Sequence, residues 1–161
     1  MVSVVVWCVV GVGAAVAAPG DLDVTFGTGG IVTTDIGTSD DYGRAVAVDS
    51  TGRIIVAGRS DNGGDDDFAV VRYTSAGVLD TSFSSDGKVT TAIGSGHDLG
   101  FAVAVDSQDR IIVAGWSSNG SDSDVAVVRY TSAGVLDTSF GFFGGKLVTD
   151  FGTSHDYGHA V

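Results

Sequence analysis

Residues 45–83, AVAVDSTGRIIVAGRSDNGGDDDFAVVRYTSAGVLDTSF, return at residues 102–140 with a constant offset of 57. Of the 39 aligned positions seven differ, leaving 32 identities. Self-similarity at a fixed period is the mark of solenoids, propellers and arrays, in which each copy is one supersecondary unit that buries its apolar faces against its neighbours. The motif flanking these copies occurs three times. DLDVTFGTGGIVTTDIGTSDDYG, near the start, is matched by VLDTSFSSDGKVTTAIGSGHDLG at 78–100 and by VLDTSFGFFGGKLVTDFGTSHDYG at 135–158, with one extra residue near Gly144 and Gly145 in the last.

Composition decides which kind of unit repeats. All 20 acidic residues are Asp, and the long, straight helix formers are almost missing, with one Gln (Gln108) and two Lys (Lys88 and Lys146). Val, Ile, Thr, Gly, Ser and Asp belong to strands and tight turns, so the chain reads as all-β. The net charge of -12 argues against nucleic acid, whose phosphates require clustered Lys and Arg.

Each unit reads as four short strands, near 30–36, 44–50, 53–59 and 67–74 in the first copy. The runs Ala45-Val46-Ala47-Val48 and Ile54-Ile55-Val56-Ala57 are apolar at successive positions, which predicts sheets covered on both faces. Asp49-Ser50-Thr51-Gly52 reads as a tight hairpin turn with Gly52 in the left-handed region, where the second copy has Asp109. Four-stranded antiparallel sheets stacked face to face without helices describe the blades of a β-propeller.

These motifs, LDTSFG, DYG-x-AVAVD, G-R-IIVAG and DFAVVRYTSAG, resemble the delta-sixty repeat, a bacterial β-propeller repeat family of unknown function, over nearly the whole of residues 19–161. The hairpin VAVDSTGRIIVAG is also similar to the first hairpin of NHL-repeat propellers. The resemblance implies a fold and no activity. About two and a half blades are expected, as an open, incomplete arc, because rings close with four to eight blades. The chain is therefore expected to be a fragment of a longer propeller, or an open array able to self-associate through its exposed blade faces. Residues 1–18, MVSVVVWCVVGVGAAVAA, read as a signal peptide with a cleavage site at Ala15-Val16-Ala17, although no Lys or Arg follows Met1. Removal of that segment would take with it Cys8, the single cysteine, and leave a secreted or cell-surface chain without a membrane span.

Asp61, Asp65, Asp66 and Asp67 in one loop, and Asp122 and Asp124 in its repeat, are candidate Ca²⁺ ligands, since clustered carboxylates on a turn are the hard donors this ion prefers. A solvated turn is the competing reading, and the spacing matches no standard calcium loop. Arg72 with Asp80, and Arg129 with Asp137, recur together and read as structural ion pairs made once per blade. Asp49 and Asp106 end strands and should hold turn amides. His97 and His155 are equivalent by repeat and belong on a polar loop; a metal site from His155, His159 and Asp156 is a weaker alternative. No catalytic constellation and no cofactor motif stands out, there being no G-x-S-x-G elbow. Positions that break the repeat are few: Arg44 against Phe101 and His159, Arg59 against Trp116, and Phe68 against Val125. Trp116 reads as a side chain packed on the next blade or as a stacking surface. The expected function is that of a non-enzymatic exported scaffold or interaction module binding protein or glycan through a propeller face. Part of an extracellular enzyme with its active site in other blades, or a structural adhesion array, are the alternatives.

Overall fold

The computed structural model describes residues 18–161; the expected signal peptide lies outside the described residues, apart from Ala18. The described residues form eight strands: β1 (Asp41–Val48), β2 (Ile54–Asp61), β3 (Asp66–Tyr73), β4 (Lys88–Thr91), β5 (Asp98–Val105), β6 (Ile111–Ser118), β7 (Ser123–Tyr130) and β8 (Lys146–Thr149). They make two four-stranded antiparallel sheets, ordered β1-β2-β3-β4 and β5-β6-β7-β8, which do not close into a ring. Among the described residues there is no helix, and hence none long and apolar enough to cross a membrane.

The turn chemistry follows the sequence closely. Asp49 Oδ1 accepts from the backbone amides of Thr51 (2.9 Å) and Arg53 (3.0 Å), while Gly52 has φ of 83°. Asp106 Oδ1 accepts from Gln108 (2.9 Å) and Arg110 (3.0 Å). Asp109 takes the glycine's place with φ of 56°, a conformation that Asp tolerates better than most side chains.

One expectation is corrected. Residues 30–36 are not the first strand of the first sheet. That sheet ends instead on β4, which returns after the LDTSF connector to pair with β3 through Phe68↔Thr91 to Val71↔Lys88. The pairing was ambiguous because a repeat has no intrinsic starting point: the GIVTT-type segment fits equally at either end of a unit, and only the path of the connector decides.

The sheets stack through opposite faces, and the repeat makes this visible. In the first sheet Ile55, Ala57, Phe68 and Val70 are buried; in the second it is Ile111, Val113, Ala126, Val128 and Tyr130, all in one apolar cluster. Ile55 corresponds to Ile112 and Ile111 to Ile54, so the buried set is shifted by one residue between copies. Successive side chains point to opposite sides of a strand, so one sheet buries its forward face against the other's rear face. Val103 and Val105 pack against this cluster, whereas their equivalents Val46 and Val48 are 65% and 61% exposed. The rear of the first sheet is thus open along β1, one of the exposed blade faces expected of an open arc, and covered at β3, where Ala69, Val71 and Tyr73 are buried.

Polar bonds recur in register with this stacking. Tyr130 donates its hydroxyl to Thr91 (2.7 Å) and Lys146 Nζ donates to the Ala92 carbonyl (2.7 Å). Tyr73 and Lys88 make the same bonds to Thr34 (2.7 Å) and the Asp35 carbonyl (3.1 Å). The segment around 31–37 therefore lies against the first sheet as β4 and its following loop lie against the second. Beneath it is a cavity of about 120 Å³ lined by Thr34, Ile36, Val56, Ala69 and Tyr73, among others. At the seam between the two sheets Ile55, Ala57, Phe68 and Val70 of the first join Ile111, Val113, Ala126, Val128 and Tyr130 of the second in the apolar core.

Candidate functional site

β1 and β5, the inner strands of the two blades, each carry a bulge, between Gly43 and Ala45 and between Gly100 and Ala102, which leaves Arg44 and Phe101 without partners across the ladder. A bulge bends its strand and re-aims the extra side chain. Glycine opposite is obligatory: a Cβ on Gly58 would collide with the Tyr42 carbonyl oxygen, and one on Gly115 with that of Leu99. In the third repeat Gly158-His159-Ala160 has the same pattern, and the Gly158 amide donates to the Gly115 carbonyl at 3.2 Å. The residue at the bulge varies, Arg44 against Phe101, with His159 at the matching sequence position, while its flanks do not.

These variable side chains touch one another across the blades. The Arg59 guanidinium lies 4.3 Å from the centre of the Tyr42 ring, and that of Arg44 lies 5.9 Å from Tyr42 and 5.1 Å from Phe101. Phe101 meets His159 at 5.2 Å, His159 meets Tyr157 at 6.2 Å, and Tyr157 meets the edge of Trp116 at 5.8 Å. The result is one continuous strip crossing both blades, two guanidinium groups interleaved with Tyr42 and Phe101 at one end and the rings of His159, Tyr157 and Trp116 at the other. Tyr42, Arg44, Tyr157 and His159 are exposed, and Arg59, Phe101 and Trp116 are half-buried. Such a surface offers ring faces for stacking and cationic donors for polar groups. Trp116 packs against Tyr157 of the following repeat, as the first of its two readings expected, and borders the strip. Sequence reasoning noted the variation at 44, 101 and 159 but missed the bulge; the signal was a glycine inside an apolar strand pattern, in G-R-A, G-F-A and G-H-A.

Repeated charged residues are used structurally. Buried Arg72 donates through Nε to Asp80 (2.9 Å), through Nη2 to Ser82 (3.0 Å) and through Nη1 to the Ser132 carbonyl in the next unit, and it lies over the Phe83 ring at 4.8 Å. Arg129 repeats the pair with Asp137 at 2.8 Å. Burial pushes the Asp49 carboxyl up, but the Thr51 hydroxyl, the Arg53 guanidinium and two backbone amides outweigh it and lower it to about 2.

The six candidate calcium ligands do not converge as two loop-tip clusters. Asp61 accepts from the Gly63 amide (2.7 Å), and exposed Asp65 lies 3.7 Å from His97 Nε2. Asp66 pairs with Arg59 and lies 3.2 Å from His97 Nδ1. Asp67 Oδ2 accepts from Asn62 (2.7 Å); burial raises its pKa, the Asn62 bond opposes that, and the charges of Asp98, Asp65 and Asp66 add to it. In the second copy Asn119 Nδ2 reaches Asp122 Oδ1 (2.5 Å) and Asp124 Oδ2 (3.4 Å). Only Asp124 enters a group of three possible metal ligands among the described residues, and its companions are Asp150 and Asp156, from outside the loop. His155 is not in that group: its Nδ1 accepts from the Ser123 amide at 3.0 Å, as His97 does from Asp66 at 3.1 Å.

Residues 50–83 and 109–140 each match the family model described as a domain of unknown function (DUF5122), beta-propeller. Both matches run through the second and third strands of a sheet into its LDTSF connector, so they coincide with the structural repeat. No curated protein matches the chain. In those two segments the chain is similar to a beta-propeller family of unknown function, and its two stacked four-stranded sheets are blades of that fold.

Proposed function

We propose that this chain is a non-enzymatic interaction module, of the delta-sixty kind, that binds a partner protein or glycan through the ring-and-cation strip. The observation that carries this reading is the convergence of the repeat-breaking side chains Arg44, Phe101, His159 and Trp116 into one connected surface, while repeated charges such as Arg72 and Asp80 are engaged inside the fold. Positions free of the fold's own demands are those on which a binding specificity can be written. Flat rings beside guanidinium groups suit the faces of sugar rings or the side chains of an extended peptide. An exported location accords with the apolar leader read at residues 1–18 and with the acidic, lysine-poor remainder.

The test is binding of the purified chain to an array of glycans and to immobilised candidate proteins, repeated with Arg44→Ala, Phe101→Ser and Tyr157→Ala. A ligand whose affinity falls at least ten-fold in these variants, at unchanged melting temperature, supports the reading. A ligand indifferent to all three, or one turned over chemically by the chain, contradicts it.

A further inference from the structure

We infer that Asp124, Asp150 and Asp156 form a single divalent-cation site, suited to Ca²⁺, where the third repeat meets the second blade. One carboxylate oxygen from each can be chosen so that all three lie within 4.8 Å of one another. Calcium binds oxygens at about 2.3–2.6 Å, so oxygens sharing one ion stand at most about 5 Å apart. The three residues come from different segments, namely the start of β7, the residue after β8 and the third copy of the inner-strand motif, so stacking of the repeats assembles the group.

A second observation points to a ligand. Asp124 is only 7% exposed, and its Oδ1 is buried with no hydrogen-bond partner. Buried carboxylate oxygens are normally satisfied, and leaving one bare beside two further carboxylates is costly. Among the described residues no Lys, Arg or His forms an ion pair with any of the three. A cation would remove that conflict at one stroke. Asp150 and Asp156 are each held through one oxygen, by the Gly152 amide (2.7 Å) and the Phe151 amide (2.9 Å), which orients the group and leaves the second oxygen of each.

The preceding seam is an internal control. There Asp67 accepts a 2.7 Å bond from Asn62, Asp98 takes the Ile93 and Gly94 amides, and the place of Asp150 is held by Ala92. Asp124 keeps the equivalent bond from Asn119 (3.4 Å) and Asp156 that from the Phe151 amide, so the seams differ in the third carboxylate, and with only two the first makes no three-ligand group; one ion per chain is expected. The inference moves the expected calcium ligands away from the hairpin tips, keeping Asp124 alone of the original six. It also places the ion next to Tyr157, whose neighbour Asp156 it would hold.

The experiment is calorimetric titration of the full chain with Ca²⁺, with Tb³⁺ luminescence excited through Trp116 and Tyr157 as a second readout. One ion per chain is expected, at a dissociation constant of about 10⁻⁴ to 10⁻³ M, as in weak extracellular sites. Asp150→Ala recreates the first seam at an exposed position and should weaken binding at least ten-fold with the circular dichroism spectrum unchanged; Asp156→Asn provides a second variant. Asp61→Asn with Asp65→Asn, at the other hairpin tip, should leave binding as it was. Absence of Ca²⁺ binding up to 10-fold above that range, binding indifferent to Asp150→Ala, or binding lost in the hairpin-tip double variant would each overturn the inference.

Discussion

Arg72 and Arg129 occupy the same place in successive blades, yet their surroundings differ. The Arg72 side chain is 2% exposed and bonded to Ser132 of the next unit, whereas that of Arg129 is 16% exposed. Removing one partner of a buried pair leaves an uncompensated charge, typically at a cost of about 3–5 kcal/mol. Arg72→Ala should therefore lower urea-unfolding stability by about that amount and Arg129→Ala by clearly less; equal losses would deny the extra burial. Asp49 sets an acid limit. Its pKa falls from 3.8 in the unfolded chain to about 2 in the folded one, worth about 2 kcal/mol. Because the folded value is the lower, this stabilisation is fully present well above pH 4 and disappears as pH falls through about 2. Urea midpoints measured from pH 6 to pH 2 should converge for the parent and Asp49→Asn, with Asp80, Asp106 and Asp137, whose values are also lowered, giving the parent further acid sensitivity.

At the scale of elements, the bulge ties the fold to the strip. Gly58→Ala and Gly115→Ala would press a methyl group into the carbonyl of the opposing inner strand, and overpacking of this kind costs about 1–3 kcal/mol. Arg44→Ala, at the bulged and exposed position, should change stability by no more than about 0.5 kcal/mol. Thermal unfolding of the three variants checks the contrast. The strands β2 and β3 and their mirror in β6 and β7 were legible in the sequence because apolar runs, turn residues and Arg–Asp spacing all agreed. The identity of the outer strand was not, because Lys88 and Gly30-Ile31 begin equivalent segments and periodicity cannot say which of them closes the first sheet. Nor was the grouping of Asp124 with Asp150 and Asp156 legible. The acidic loop drew attention to neighbours in sequence, whereas residues 26 and 32 positions away meet there only through stacking.

For the whole molecule, the repeat supplies its own control surface. Val46 and Val48 lie open on the first blade, while Val103 and Val105 lie against a neighbour. Val46→Thr with Val48→Lys should leave unfolding nearly unchanged and reduce concentration-dependent association in sedimentation velocity, if open blade faces drive it. The most direct measurement of the stacking itself is the unfolding free energy of four single variants, Ile54→Ala, Ile55→Ala, Ile111→Ala and Ile112→Ala. Ile55 and Ile111 are 0% and 1% exposed, and Ile54 and Ile112 are half-buried. Stacked blades predict large losses, about 2–5 kcal/mol, at Ile55 and Ile111, and small ones at Ile54 and Ile112, so the sensitive position alternates between copies. If Ile54 behaves like Ile111, and Ile55 like Ile112, the two copies are independent sheets and the stacked arrangement is wrong.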